Sequence, residues 1–180
     1  MERYVAFLRG MNLGSRRIKN DELRAEFEAL GFEDVATFRA SGNVIFGAAK
    51  QSEGVLTKAI EHGLGDALGY EVPVFLRSCD EVAEIAAREP FPAKLVEASK
   101  GKLQVTLLAK KPTAAARRSV LALATDEDLL AIDGRELFWL PSGGMIDSEL
   151  DLKAIDTALG KGTQRTMGTI EQIAAKHCFG

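Results

Sequence analysis

Hydrophobic periodicity alternates between two residues and 3.6 residues across residues 3–77, and the order of the switches restricts the fold more than any single motif does. Residues 3–8 form a short apolar run flanked by charge, the pattern of a central strand. A helix is expected next. Asn20 is its cap, Asp21 and Glu22 oppose the N-terminal dipole, and Leu23, Phe27 and Leu30 recur at i, i+4 and i+7. Gly31 stops the helix, where a left-handed turn folds Phe32 back on Phe27. Residues 35–40 and 43–46 read as two strands joined at Ser41-Gly42. Residues 52–68 place Val55, Leu56, Ala59, Ile60 and Leu64 on one helical face, and residues 72–76 return as a strand. The order β-α-β-β-α-β is the split-βαβ, ferredoxin-like arrangement.

A weaker version of the same order follows. Residues 79–88 are expected to be helical, Pro90 and Pro92 end that helix, and the charged stretch 94–102 is the expected boundary between subdomains. Residues 103–109 then read as a strand and 113–124 as a helix opened by Pro112. Residues 129–132 and 137–140 read as strands turning at Asp133-Gly134, and 147–159 as a helix. Thr169 is a candidate cap for a last helix over 169–177, with Thr163 in the loop before it. The chain is therefore expected to be α+β, with a ferredoxin-like subdomain over 1–78, a helical connector over 79–102 and a second, less regular α+β subdomain over 103–180. With 180 residues, 46% of them hydrophobic, it has enough apolar side chains to bury a core.

Charge is concentrated where topology makes it useful. Arg9, Arg16, Arg17 and Lys19 carry four positive charges with no acid among them, although the net charge of the chain is −3. In a split-βαβ sheet the right-handed crossover makes the first two strands parallel, with the third antiparallel between them. The loop 9–19, the start of the first helix and the Ser41-Gly42 turn should therefore share one rim. Free amides and a positive helix dipole there suit a phosphate, carboxylate or sulfate. The expected ligand-binding residues are Arg9, Asn12, Arg16, Arg17, Lys19, Ser41 and Asn43, with Thr163 and Arg165 as a second cluster. Gly10 and Gly14 do not make a nucleotide fingerprint, since their spacing is GxxxG and no Lys-Ser/Thr pair follows.

The string LRGMNLG, the helix ending in ALGF and the hairpin TFRASGNVIF, with GTQRTMGTIEQI near the C-terminus, resemble the bacterial family known as domain of unknown function 1697. The matching positions are Leu8 to Gly14, Leu23 to Phe32, Thr37 to Phe46, and then Thr163, Arg165, Thr169, Ile170 and Ile173. Ser15, Thr166 and Met167 depart from the family pattern, which has glycine, asparagine and tryptophan there. The resemblance implies a bacterial cytosolic protein of two small α+β halves, and no agreed activity.

Several classes are disfavoured. No run approaches the roughly 18 apolar residues of a membrane span, so no membrane association is expected. Cys79 and Cys178 lie in no CxxC or Cys/His cluster, which makes a reduced cytoplasm the default. His62 and His177 lack neighbours at ligand spacing, so no metal is expected, and no cofactor is expected either. An RNA-recognition sheet would carry stacking aromatics on its third strand, whereas NVIFGA offers Phe46 among aliphatics. The acidic residues Glu22, Glu26 and Glu28 oppose a duplex passing the first helix. The expected partner is a small anionic ligand, a nucleotide or phosphorylated metabolite. An enzyme with groups assembled between the halves, and an interaction or oligomerisation module, are the alternatives.

Overall fold

The computed structural model describes residues 1–11, 17–39 and 42–179. The chain is a mixed α+β protein with two four-stranded antiparallel sheets. Its first unit comprises Met1–Ile85 together with Ile173–Gly180, and its second comprises Ala86–Gln172.

In the first unit β1 (Glu2–Leu8), α1 (Asn20–Ala29), β2 (Glu33–Thr37), β3 (Asn43–Ala48), α2 (Glu53–Leu68) and β4 (Val74–Ser78) follow one another in the expected order. The sheet order is β2-β3-β1-β4. Both β1 and β2 run antiparallel to β3, which makes them parallel to each other. Alternation along the strands then decides which side chains enter the core. Tyr4, Ala6 and Leu8 of β1 and Val44 and Phe46 of β3 meet Leu23 and Phe27 of α1 and Leu56, Ile60 and Leu64 of α2. Phe46 is the hub of an aromatic cluster, with ring centroids 5.6 Å from Phe27, 4.5 Å from Phe32 and 5.7 Å from Tyr4. Phe27 and Phe32 are 6.2 Å apart across Gly31, whose φ of 91° closes the helix as the sequence predicts. On the opposite face Val5, Phe7 and Ile45 are also 0% exposed.

Capping explains the boundaries. Ser52 caps α2 through its hydroxyl, which accepts the Val55 N–H at 3.2 Å, and Gly69 closes that helix at φ 79°. Asn20 is not the cap of α1. It is the first helical residue, Lys19 holds the cap position, and the Lys19 N–H donates to Glu22 Oε2 at 3.3 Å. The Asn20 amide is drawn away instead to the Arg39 carbonyl, 2.9 Å distant. After β4 the chain enters α3 (Cys79–Ala86) directly, through a reciprocal box in which Ser78 Oγ accepts the Glu81 N–H at 3.1 Å and Glu81 Oε1 accepts the Ser78 N–H at 2.9 Å.

The second unit carries α4 (Ala93–Ala98), β5 (Gln104–Leu107), α5 (Ala114–Leu121), β6 (Asp128–Asp133), β7 (Glu136–Pro141), α6 (Leu152–Leu159), β8 (Thr163–Thr166) and most of α7 (Met167–Ile173). Its sheet order, β6-β7-β5-β8, is the same permutation as in the first unit. The helix expected over 147–159 is broken. A 3₁₀ turn at Met145–Asp147 comes first, and α6 begins only after Asp151, whose carboxylate accepts the Ala154 N–H at 3.0 Å. Strand β8 replaces the loop expected around Thr163, and with it the second unit is a complete β-α-β-β-α-β.

A π-helical turn, Ala174–Cys178, follows α7 and brings the chain back to the first unit. Cys79 and Cys178 are joined there as a disulfide, with Cα atoms 5.0 Å apart across a sequence separation of 99. A reduced cytoplasm is the expectation from the sequence for these two cysteines, whereas in the structure they are bonded to each other. No helix among the described residues is long and apolar enough to cross a membrane.

Candidate functional site

The rim at the C-terminal ends of β1 and β2 is stitched by backbone before any side chain is considered. The Leu8 N–H donates to the Gly42 carbonyl at 2.8 Å, and the Phe38 N–H to the Asn43 carbonyl at 3.0 Å. Asn20, at the start of α1, reaches the Arg39 carbonyl. The end of β1, the end of β2, the start of β3 and the N-terminus of α1 thus meet at one edge of the sheet, as the parallel placement of the first two strands requires.

Arg9 stands half-buried at the end of β1, and Arg17 and Lys19 are exposed before α1. Among the described residues none of the three has a carboxylate within ion-pair distance. The acids of the first helical turn are partly occupied. Asp21 lies 3.8 Å from Arg24, and Glu22 accepts the Lys19 N–H. Arg39 is a cation of this rim that sequence reasoning missed. It is exposed, adopts a left-handed φ of 58°, and lays its guanidinium 5.5 Å from the Phe38 ring centroid. Asn43, by contrast, is 4% exposed and gives its amide to the Phe38 carbonyl at 3.1 Å, so it serves the hairpin. Asn12, Arg16 and Ser41 lie outside the described residues.

Thr163 and Arg165 are brought together on β8, where Arg165 Nη1 donates to Thr163 Oγ1 at 2.8 Å. Burial lowers the Arg165 guanidinium to about 10, which leaves it charged at neutral pH. Thr169 is not the cap of the last helix. That role belongs to Thr166, whose hydroxyl accepts the Thr169 N–H at 3.2 Å and lies 3.0 Å from the Thr169 hydroxyl.

Arg165 has a counterpart. Val5 pairs with Arg77 in the first sheet, and Val105 pairs with Arg165 in the second. Each arginine bends back to donate Nη1 to the carbonyl of the preceding residue, Leu76 or Gln164, at 2.9 Å. Each is followed by a hydroxyl residue, Ser78 or Thr166, that caps the next helix. The C-terminal string TQRTMGTI is therefore the second copy of the structural device written FLRSCDEV in the first unit. Arg77 is 1% exposed, which marks it as part of the framework.

No group of three His, Cys, Asp or Glu side chains that could hold an ion occurs among the described residues. His62 is exposed and 3.2 Å from Asp66, while His177 packs edge-on against Phe38 at 6.3 Å.

Two ferredoxin-like halves with one strand permutation, a basic rim on the first and a capped edge arginine on each, define the class of protein. The chain belongs to the family described as protein of unknown function DUF1697, whose model matches residues 1–138. Among solved structures it is similar to "conserved bacterial protein SP0830 from Streptococcus pneumoniae", with a TM-score of 0.76 at 20% identity, covering 97% of both chains. At that identity the likeness establishes the fold alone. No curated protein sequence matches the chain.

Proposed function

We propose that this protein binds a small anionic ligand, a nucleotide or phosphorylated metabolite, at the rim of its first unit. The observation that carries this reading is the set Arg9, Arg17 and Lys19, three cations without a carboxylate partner among the described residues, beside the N-terminus of α1. Exposed cations are ordinarily screened by water and salt. Here the helix dipole and the main-chain amides of its first turn add to them, so a compact anion gains more than one kind of contact. Arg39 extends the positive surface along the hairpin. A compact ligand is favoured over a duplex because Glu22, Glu26 and Glu28 lie along α1, where an extended phosphate backbone would run.

The test is a thermal-shift titration at low salt with a nucleoside triphosphate, a short DNA duplex and chloride as control, on wild type and an Arg17→Ala/Lys19→Ala double variant. A triphosphate at ten times its Kd stabilises the native state by about 1.4 kcal/mol. The shift should fall with added salt and shrink in the variant. Equal shifts in wild type and variant, or a larger response to the duplex, overturn the reading.

A further inference from the structure

The second unit holds a cavity of about 210 Å³ between α6 and its sheet, lined by Leu130, Leu137, Trp139, Leu150 and Ile155, with Asp156 among its polar residues. The helices that cover the two sheets differ in length. In the first unit α2 has 16 residues and buries Leu56, Ile60 and Leu64 on the sheet. The corresponding helix of the second unit, α6, has 8 residues and buries only Ile155.

We propose that this cavity is a binding site for a small amine with an apolar body, of the size of a phenylalkylamine. An apolar cavity of about 150 Å³ already accommodates benzene, so the larger space here takes a ring with a short arm. The walls select the chemistry. Trp139 is 4% exposed, and its indole N–H is already engaged by Asp128 Oδ1 at 2.8 Å, so within the cavity it contributes apolar surface. Asp156 is the single charged residue of the lining, and no cation lies within ion-pair distance of it among the described residues. Thr106 and Gln164, also in the lining, supply uncharged hydrogen-bonding groups. An ammonium on a short arm places its charge on Asp156 with its body against the leucines and the indole. A carboxylate in the same place meets like charge. This site is separate in chemistry from the anion rim, and neither proposal depends on the other.

Trp139 is the only tryptophan of the chain, so its fluorescence reports on the cavity directly. Wild-type protein is titrated with phenethylamine and, separately, with 3-phenylpropanoate, under excitation selective for indole. The expected result is a saturable change with phenethylamine, severalfold weaker binding of 3-phenylpropanoate, and about three- to fivefold weaker binding of phenethylamine by Asp156→Asn. Asp156 is exposed, so that variant should keep its circular dichroism and melting temperature. Ile155→Phe, which fills the space, should abolish the response. No saturable change with the amine, equal affinity for the two probes, or unchanged amine affinity in Asp156→Asn overturns the proposal, the last two because they describe a packing void without selectivity.

Discussion

The two units share strand order, pairing and an edge arginine, yet their interiors are packed differently. In the first, two helices of 10 and 16 residues cover the sheet, and Phe27, Ile60 and Leu64 are all 0% exposed. In the second, helices of 8 residues each cover the equivalent face and leave a cavity. The comparison separates what fixes topology from what fixes packing. Topology follows from local devices that recur in both units. These are the strand alternation, a hairpin closed by a residue of positive φ, a hydroxyl cap after the edge strand and the arginine before it. Packing follows from side-chain volume, which the same topology tolerates in more than one amount.

The largest expected effect tests that separation in the cores. Ile60→Ala removes a side chain from a filled interior and should cost about 4 kcal/mol, whereas Ile155→Ala only enlarges an existing space and should cost about 2 kcal/mol. Urea unfolding of both variants measures the difference, and equal costs would mean that the cavity relaxes away in solution. A smaller effect concerns the paired arginines. Arg77→Ala should destabilise by about 3 kcal/mol and Arg165→Ala by about 1 kcal/mol, because the first side chain is fully buried and the second half-buried. If Arg165→Ala proves the costlier in the same unfolding assay, the equivalence of the two positions is structural only in outline.

The smallest effect is confined to the first unit. Burial, then Lys176 and Arg3, hold the His177 imidazole below its ordinary value of 6.5. As pH falls through that value the unfolded chain takes up the proton before the folded chain does. Stability present above about pH 6.5 is therefore lost as pH falls through the folded value. Melting temperature recorded from pH 8 to 5 should decline less steeply in His177→Gln than in wild type, and identical slopes would remove His177 from the account.

Much of this was legible in the residues. The element order of 3–77 and the stop at Gly31 with its Phe27–Phe32 contact depend on short-range patterns, and the rim follows from chain parity. What escaped depends on contacts distant in sequence. Asn20 has the chemistry of a cap, but the Arg39 carbonyl, 19 residues away, competes for its amide. Strand β8, reading TQRT, has no apolar alternation, and it becomes a strand because β5 offers an edge to pair with. Thr163, 6% exposed, and Arg165, half-buried, then occupy positions that a period-two pattern of hydrophobicity does not mark. Arg39 gave no signal either, since a left-handed φ is not a preference of arginine.

The Cys79–Cys178 bond changes how load would pass through the molecule. Tension applied to the two termini travels along residues 1–79, crosses the sulfur–sulfur bond and leaves through residues 178–180. Residues 80–177, with the whole second unit among them, hang off that path as a closed ring and carry no force. Reduction would put them in series with the rest, so the length of chain that stretching can draw out is set by the oxidation state of one pair of sulfur atoms.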